Sequence, residues 1–151
     1  MKKKKTIIRS ILIVLIILWA ILIFSMSNQQ GSESSGLSRR ISRWFFKEEQ
    51  IDIVEPYVRK IAHFGEYTIG GILFMSLFLT YEWTERKQII VSILLGVWYA
   101  ILDEIHQLFI PNRSGNIKDV WIDTLGICFG VCFILLLYKL YKKYHKKKEG
   151  I

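Results

Sequence analysis

Four apolar runs, a lysine cluster near each end, and polar residues gathered at the ends of three of those runs predict the fold class. It is all-α: an integral membrane bundle of four transmembrane helices, with a short amphipathic surface helix in the first external loop. Hydrophobic residues make up 52% of the 151-residue chain and the mean hydropathy is +0.30, while charge is concentrated outside the apolar runs. That partition is what a bilayer imposes, because a hydrocarbon core about 30 Å thick takes roughly 20 apolar residues per helix. The length suits a single membrane domain, residues 1–151, with no separate soluble module.

The first span covers about residues 7–26. It follows the lysines of Met1 to Lys5 and is apolar except for Arg9 and Ser10. A signal peptide also opens on charge and an apolar stretch. This run is long, however, and only the weak Ser25-Met26-Ser27 site follows it, so a retained helix is expected. The external loop is expected over 27–60. Its first part, Asn28 to Ser38, is rich in Ser and Gly and reads as irregular. Leu37, Ile41, Trp44 and Phe45 then recur at helical spacing, with Arg39, Arg40, Arg43 and Lys47 mostly on other faces, as in a helix lying at a membrane surface or a solvated one docked on the protein's own loops. Pro56 marks a break before the second span, 61–81. A brief charged turn, Glu82 to Gln88, makes the second and third spans antiparallel neighbours. The third span covers 89–110, a tight polar loop runs from Pro111 to Lys118, and the fourth span is 120–141, followed by a lysine-rich tail.

The formal net charge of +8 does not imply nucleic acid, because the basic residues sit beside the apolar runs. Membrane lipids are the expected counter-charge, and no nucleic-acid partner is expected. With four spans both termini share one side, and their lysines place them in the cytoplasm. The basic residues between Arg39 and Lys60 argue the other way. Cys128 and Cys132, four apart in an apolar run, read as lipid- or core-facing thiols.

Candidate chemistry lies at the ends of three spans. His63, Glu66, Tyr67 and Gly70 share one helical face, as do Tyr99, Asp103, His106 and Gln107, and also Asp119, Asp123, Gly126 and Gly130. The chain's alternation brings all three faces to one membrane depth, external under the expected orientation. The pocket they bound holds Glu104 too, is acidic, and is rimmed by Arg59, Lys60, Arg113 and Lys118. Ionisable groups in membrane segments are expensive and default to function.

The ordered series Arg59-Lys60-Ile61-Ala62-His63-Phe64-Gly65-Glu66-Tyr67, Asp103-Glu104 with Gln107 and Phe109, Pro111 and Arg113, then Asp119, Gly126 and Gly130 resembles the VanZ-like membrane proteins. Ser25 to Gln29 is similar to the serine/glutamine stretch that follows that family's first helix. The resemblance spans nearly the whole chain, with Asn112 where the family usually has Gly and Asp123 where it has Asn. It implies a multi-pass location in the cell membrane and an association with resistance to teicoplanin-type glycopeptide antibiotics. It does not imply a defined reaction.

Several roles remain open for the set Lys60, His63, Glu66, Tyr67, Asp103, Glu104, Gln107, Arg113, Asp119 and Asp123. An interhelical hydrogen-bond network would account for some of them, but such glue does not need so many acids. No spacing matches a metal motif, and no metal or other cofactor is expected. A base such as His63 or His106, oriented by Glu66 or Asp103, would allow a hydrolase or transferase acting on a lipid-linked substrate, although no serine lies in a nucleophile-elbow context. A proton-coupled transporter needs polar groups through both halves, which these spans lack. The leading expectation is an accessory or binding protein at the outer leaflet, whose partner is a cell-wall precursor, another envelope lipid or a glycopeptide. Arg113 is the expected ligand-facing cation, its guanidinium fork being suited to a phosphate or carboxylate. The residues say nothing of oligomeric state.

Overall fold

A computed structural model describes residues 2–28, 31–111 and 115–148. It contains five α-helices: α1 (Lys2–Ser27), α2 (Gly31–Phe45), α3 (Ile51–Phe78), α4 (Glu85–Gln107) and α5 (Ile117–Lys148), with a 3-10 turn at Glu48–Gln50 before α3. Four of them, all but α2, are long and apolar enough to cross a membrane. The all-α bundle of four spans with one short extra helix is therefore the observed architecture.

Element boundaries differ from the sequence expectation in three places, each for a local reason. The segment read as irregular from Asn28 to Ser38 is helical from Gly31 onward, so propensity lost to docking: Ser38 and Ser42, one turn apart, are buried, and α2 packs on α3. The Ser42 hydroxyl donates to the Ser38 carbonyl at 2.9 Å, which removes the cost of burying it. Pro56 does not break the chain. It lies in the second turn of α3, exposed to solvent or lipid, where a proline forfeits one helical bond without a side-chain clash against a neighbour. Consequently α3 begins ten residues before the expected span. At 28 residues it reaches about 42 Å, longer than a hydrocarbon core, so Ile51 to Lys60 overhang it. The third and fourth spans shift by a few residues, α4 starting at Glu85 behind a Thr84 cap and α5 extending into the lysine tail.

α3 is the central helix, in contact with α1, α2, α4 and α5. Its contact with α5 is backbone to backbone. A Cβ on Gly126 would run into the Phe64 carbonyl, one on Gly130 into the Thr68 carbonyl, and one on Gly71 into the Ile127 carbonyl. Small residues at such crossings let helices approach closely, which is how membrane helices gain packing energy without a hydrophobic drive.

The helix α1 is held more sparsely. Trp19 inserts among Tyr67, Phe74 and Tyr99, with ring centroids 5.0–5.8 Å away, and its Nε1 donates to the Glu66 carbonyl at 2.9 Å. The Tyr99 hydroxyl donates back to the Ala20 carbonyl. Near the other end of α1, Arg9 donates to the Thr80 hydroxyl and carbonyl (2.9 and 2.6 Å) and lies 4.0 Å from the centre of the Tyr81 ring. That contact explains how an arginine sits in an otherwise apolar run. Elsewhere α1 shows aliphatic side chains outward, as a lipid-facing helix does.

Candidate functional site

The middle of one helix and the ends of two others build the site: the fourth and fifth turns of α3, the last two turns of α4 and the first two turns of α5. Asn116 starts α5, its side-chain oxygen accepting from the Lys118 amide at 3.0 Å, an N-cap that fixes where Asp119 and Asp123 fall. Gly115 just before it has no room for a side chain, since a Cβ would meet the Glu104 carbonyl. The loop is thereby pressed onto α4, and the Asn116 amide donates to Glu104 Oε2 at 2.7 Å.

Gln107 organises the other carboxylates. Its Nε2 donates to Asp103 Oδ2 at 3.0 Å and to Glu104 Oε1 at 3.2 Å, and all three residues are buried. Asp123 is 0% exposed and lies against His63, with 3.5 Å between Nδ1 and Oδ1 but no hydrogen-bond alignment. Tyr67, also 0% exposed, lies within electrostatic range of Asp103, Asp123 and Glu104. Asp119 is half-buried one turn above Asp123 and within range of Glu104. His63, Tyr67, Asp103, Glu104, Gln107, Asp119 and Asp123 thus form one layer between α3, α4 and α5. Glu66 is half-buried in the same stretch of α3, within range of His63. Lys60 is exposed on α3 and Lys118 on α5. Arg113, with Asn112 and Ser114, lies outside the described residues.

Two placements were not foreseen. His63 faces Asp123 rather than Glu66 or Asp103. His106 turns to α1, where its ring stacks on Phe24 with centroids 4.5 Å apart. Helical spacing tells which residues share a face, but the partner across the interface depends on register between helices, which the glycine contacts set. Trp19, whose indole closes the layer beneath Tyr67, had no motif to betray it.

Several polar atoms of the layer lack an aligned hydrogen bond. Asp123 Oδ1 and Oδ2, the Tyr67 hydroxyl and His63 Nδ1 are buried without a hydrogen-bond partner. Among the described residues no three His, Cys, Asp or Glu side chains converge on one point as metal ligands would. Beside the layer is a crevice of about 200 Å³, lined by Ile101, Glu104, Ile105 and Leu108 of the α4 end and by Gly115 to Ile117 and Val120 of the α5 start. Its walls are apolar except for Glu104 and Asn116.

A polytopic helical bundle with a buried acidic layer at one end is the class that fold and site define. Residues 12–139 match the VanZ/LLP1 family, and the chain belongs to it. No curated protein and no solved structure gives a significant match.

Proposed function

We propose that the protein is an accessory or binding protein of the cell membrane, with both termini cytoplasmic and the acidic layer at the outer leaflet. There it engages a cell-envelope lipid, a cell-wall precursor or a glycopeptide antibiotic of the teicoplanin type. One observation carries this reading: three buried carboxylates, Asp103, Glu104 and Asp123, lie at one end of the bundle, both Asp123 oxygens lacking an aligned hydrogen bond although His63 lies 3.5 Å away. A network serving only as glue would be fully paired, because an unpaired buried acceptor costs about 1–3 kcal/mol. The buried polar residues of the opposite half, Gln88 and Ser92, are neutral and bond to the Tyr81 and Gln88 carbonyls, and no buried acid lies in that half among the described residues. Membership of the VanZ/LLP1 family supports the envelope setting.

A second reading, a membrane hydrolase or transferase acting on a lipid-linked substrate, is favoured by the His63–Asp123 pair. A carboxylate beside an imidazole is the arrangement that orients a general base. Expression in a susceptible Gram-positive host tests the first reading. Wild-type protein should lower susceptibility to lipid-anchored glycopeptides more than to soluble ones, and Glu66→Gln or Gln107→Leu should abolish the difference at equal membrane abundance. Identical susceptibility with and without the protein would refute the antibiotic branch. Turnover of a lipid-linked substrate by wild type but not by His63→Gln would establish the second reading instead.

A further inference from the structure

The outward flank of the α3–α5 contact carries a pattern that the buried layer does not use. The two helices run in step, the Phe64 carbonyl lying against Gly126 and the Thr68 carbonyl against Gly130. The Ile127 side chain of α5 faces Gly96 of α4, so Phe129, two positions on, marks the opposite flank, where its ring meets that of Phe64 at 5.7 Å between centroids. Helical spacing continues that flank through Ile61 and Tyr57 on α3 and through Leu125 and Lys118 on α5. Ile61, Tyr57 and Leu125 are 61–70% exposed, so the furrow between the two stripes is open to its surroundings. Both of its walls belong to helices long and apolar enough to span a bilayer.

The chemistry changes at the end of the furrow where α5 begins and α3 leaves the hydrocarbon. Lys118 and Lys60, the latter one turn before Phe64, are exposed there, and among the described residues no carboxylate pairs with either. Arg39 and Arg43, at the same end, are by contrast held by Asp52 and Glu48. The half-buried Asp119 and the buried Asp123 lie on the inner face of α5, about 100° or more around the helix from Lys118, and leave its charge unmatched. An apolar wall, then an amphipathic aromatic ring, then free cations is the order in which a phospholipid presents acyl chain, glycerol and phosphate. A second copy of the chain fits less well. Its own lysines would be repelled, and lipid tails are as apolar as the walls it would cover, so no hydrophobic drive favours it.

We infer that this furrow is a binding site for an anionic membrane phospholipid, its phosphate at Lys118 and Lys60, its glycerol at Tyr57 and one acyl chain along Ile61, Phe64 and Leu125. The inference is separate from the role proposed for the buried layer and holds for whichever leaflet this end faces.

Thermal denaturation of the full-length protein in maltoside micelles tests it, with phosphatidylglycerol, phosphatidylcholine or soluble glycerol phosphate as the probe. The lysine-rich termini also attract anionic lipid, so variants of matched charge separate the site from diffuse attraction. Phosphatidylglycerol should raise the melting temperature more than phosphatidylcholine does. Lys118→Gln should raise its half-saturating mole fraction by about fivefold, and Lys60→Gln combined with Lys118→Gln by about tenfold or more. Lys142→Gln combined with Lys143→Gln, the same loss of charge at the far end of α5, should change it by less than about twofold if the furrow is the site. Lys118→Gln alone carries the comparison if the double variant does not accumulate. Equal effects of the two lipids, undiminished selectivity in the furrow variants, or an equal loss in the far-end pair would overturn the inference. Glycerol phosphate as protective as the lipid would show a site for a soluble anion and overturn the lipid one. Any of these failures leaves the role proposed for the carboxylate layer standing, because no residue of that layer's buried set is changed.

Discussion

The Gln107 side-chain amide serves two carboxylates, Asp103 and Glu104, and is itself almost fully buried. Gln107→Leu would keep roughly its volume and strip a donor from both acids at once. The expected cost is about 1–3 kcal/mol for each acceptor left unpaired. A lower melting temperature in detergent, relative to wild type, checks this; an unchanged one would mean that water or protonation already satisfies both acids. Much of this layer was legible in the sequence, because an acid in an apolar run is conspicuous and helical spacing sorts faces. The pairings were not legible. His63 finds Asp123, sixty positions along the chain and beyond any local rule, only because α3 and α5 touch along glycines. His106, one position from Gln107, leaves the layer for Phe24 because a single step around a helix turns a side chain by about 100°.

Among the elements, α3 and α5 form the unit on which the site depends. The Thr68 carbonyl occupies the space that a Cβ on Gly130 would need, so the helices cannot accommodate a branched side chain without separating. Gly130→Val should destabilise the protein by about 1–3 kcal/mol or more and widen the gap that positions His63 against Asp123. Thermal melting gives the first effect, and reduced accumulation in the membrane would accompany it. Wild-type stability would mean that α5 slides freely over α3. Elements read least well from sequence where tertiary contacts overrode local preference. The serine-rich start of α2 is helical because it docks, through Ser38 and Ser42, on the overhanging first turns of α3. The ion pairs Arg39–Asp52 (2.6 Å) and Arg43–Glu48 (2.8 Å) join the same two segments, though exposed pairs add little energy. Trp44 and Phe45 stay more than 70% exposed, which agrees with the interfacial helix expected from their spacing. The Leu37 side chain lies outside the described residues.

At the scale of the whole molecule, the two ends of the bundle differ in charge chemistry, and that difference bears on orientation. One end carries the carboxylate layer. The other joins the chain's basic termini to the α3–α4 turn, through Arg9 on Thr80 and Tyr81, Lys5 with Glu82 at 3.2 Å, and Lys139 with Glu85 at 2.7 Å. Lys87 lies 4.3 Å from the Trp83 ring centre at the same end. Positive residues beside short loops are retained in the cytoplasm, and this end has both termini and a short loop on which to act. The opposing signal comes from Arg39, Arg40, Arg43, Lys47, Arg59 and Lys60, but two of these arginines are engaged with acids of their own segment. The expected topology is therefore both termini inside and the carboxylate layer outside. Single cysteines replacing Glu49 and Lys118, both exposed at the layer's end, would report it in a background where Cys128 and Cys132 are serine. On intact cells both should react with a membrane-impermeant thiol reagent, while a cysteine replacing Arg86 in the first turn of α4 should react only after lysis. The reverse pattern would turn the molecule over and put the carboxylate layer at the cytoplasmic face. The ligand would then have to come from the inner leaflet or the cytosol, and an antibiotic acting outside the cell could not reach it. Labelling at all three positions on intact cells would instead mean that the cells leak, which an impermeant reagent against a cytosolic control protein detects in the same experiment.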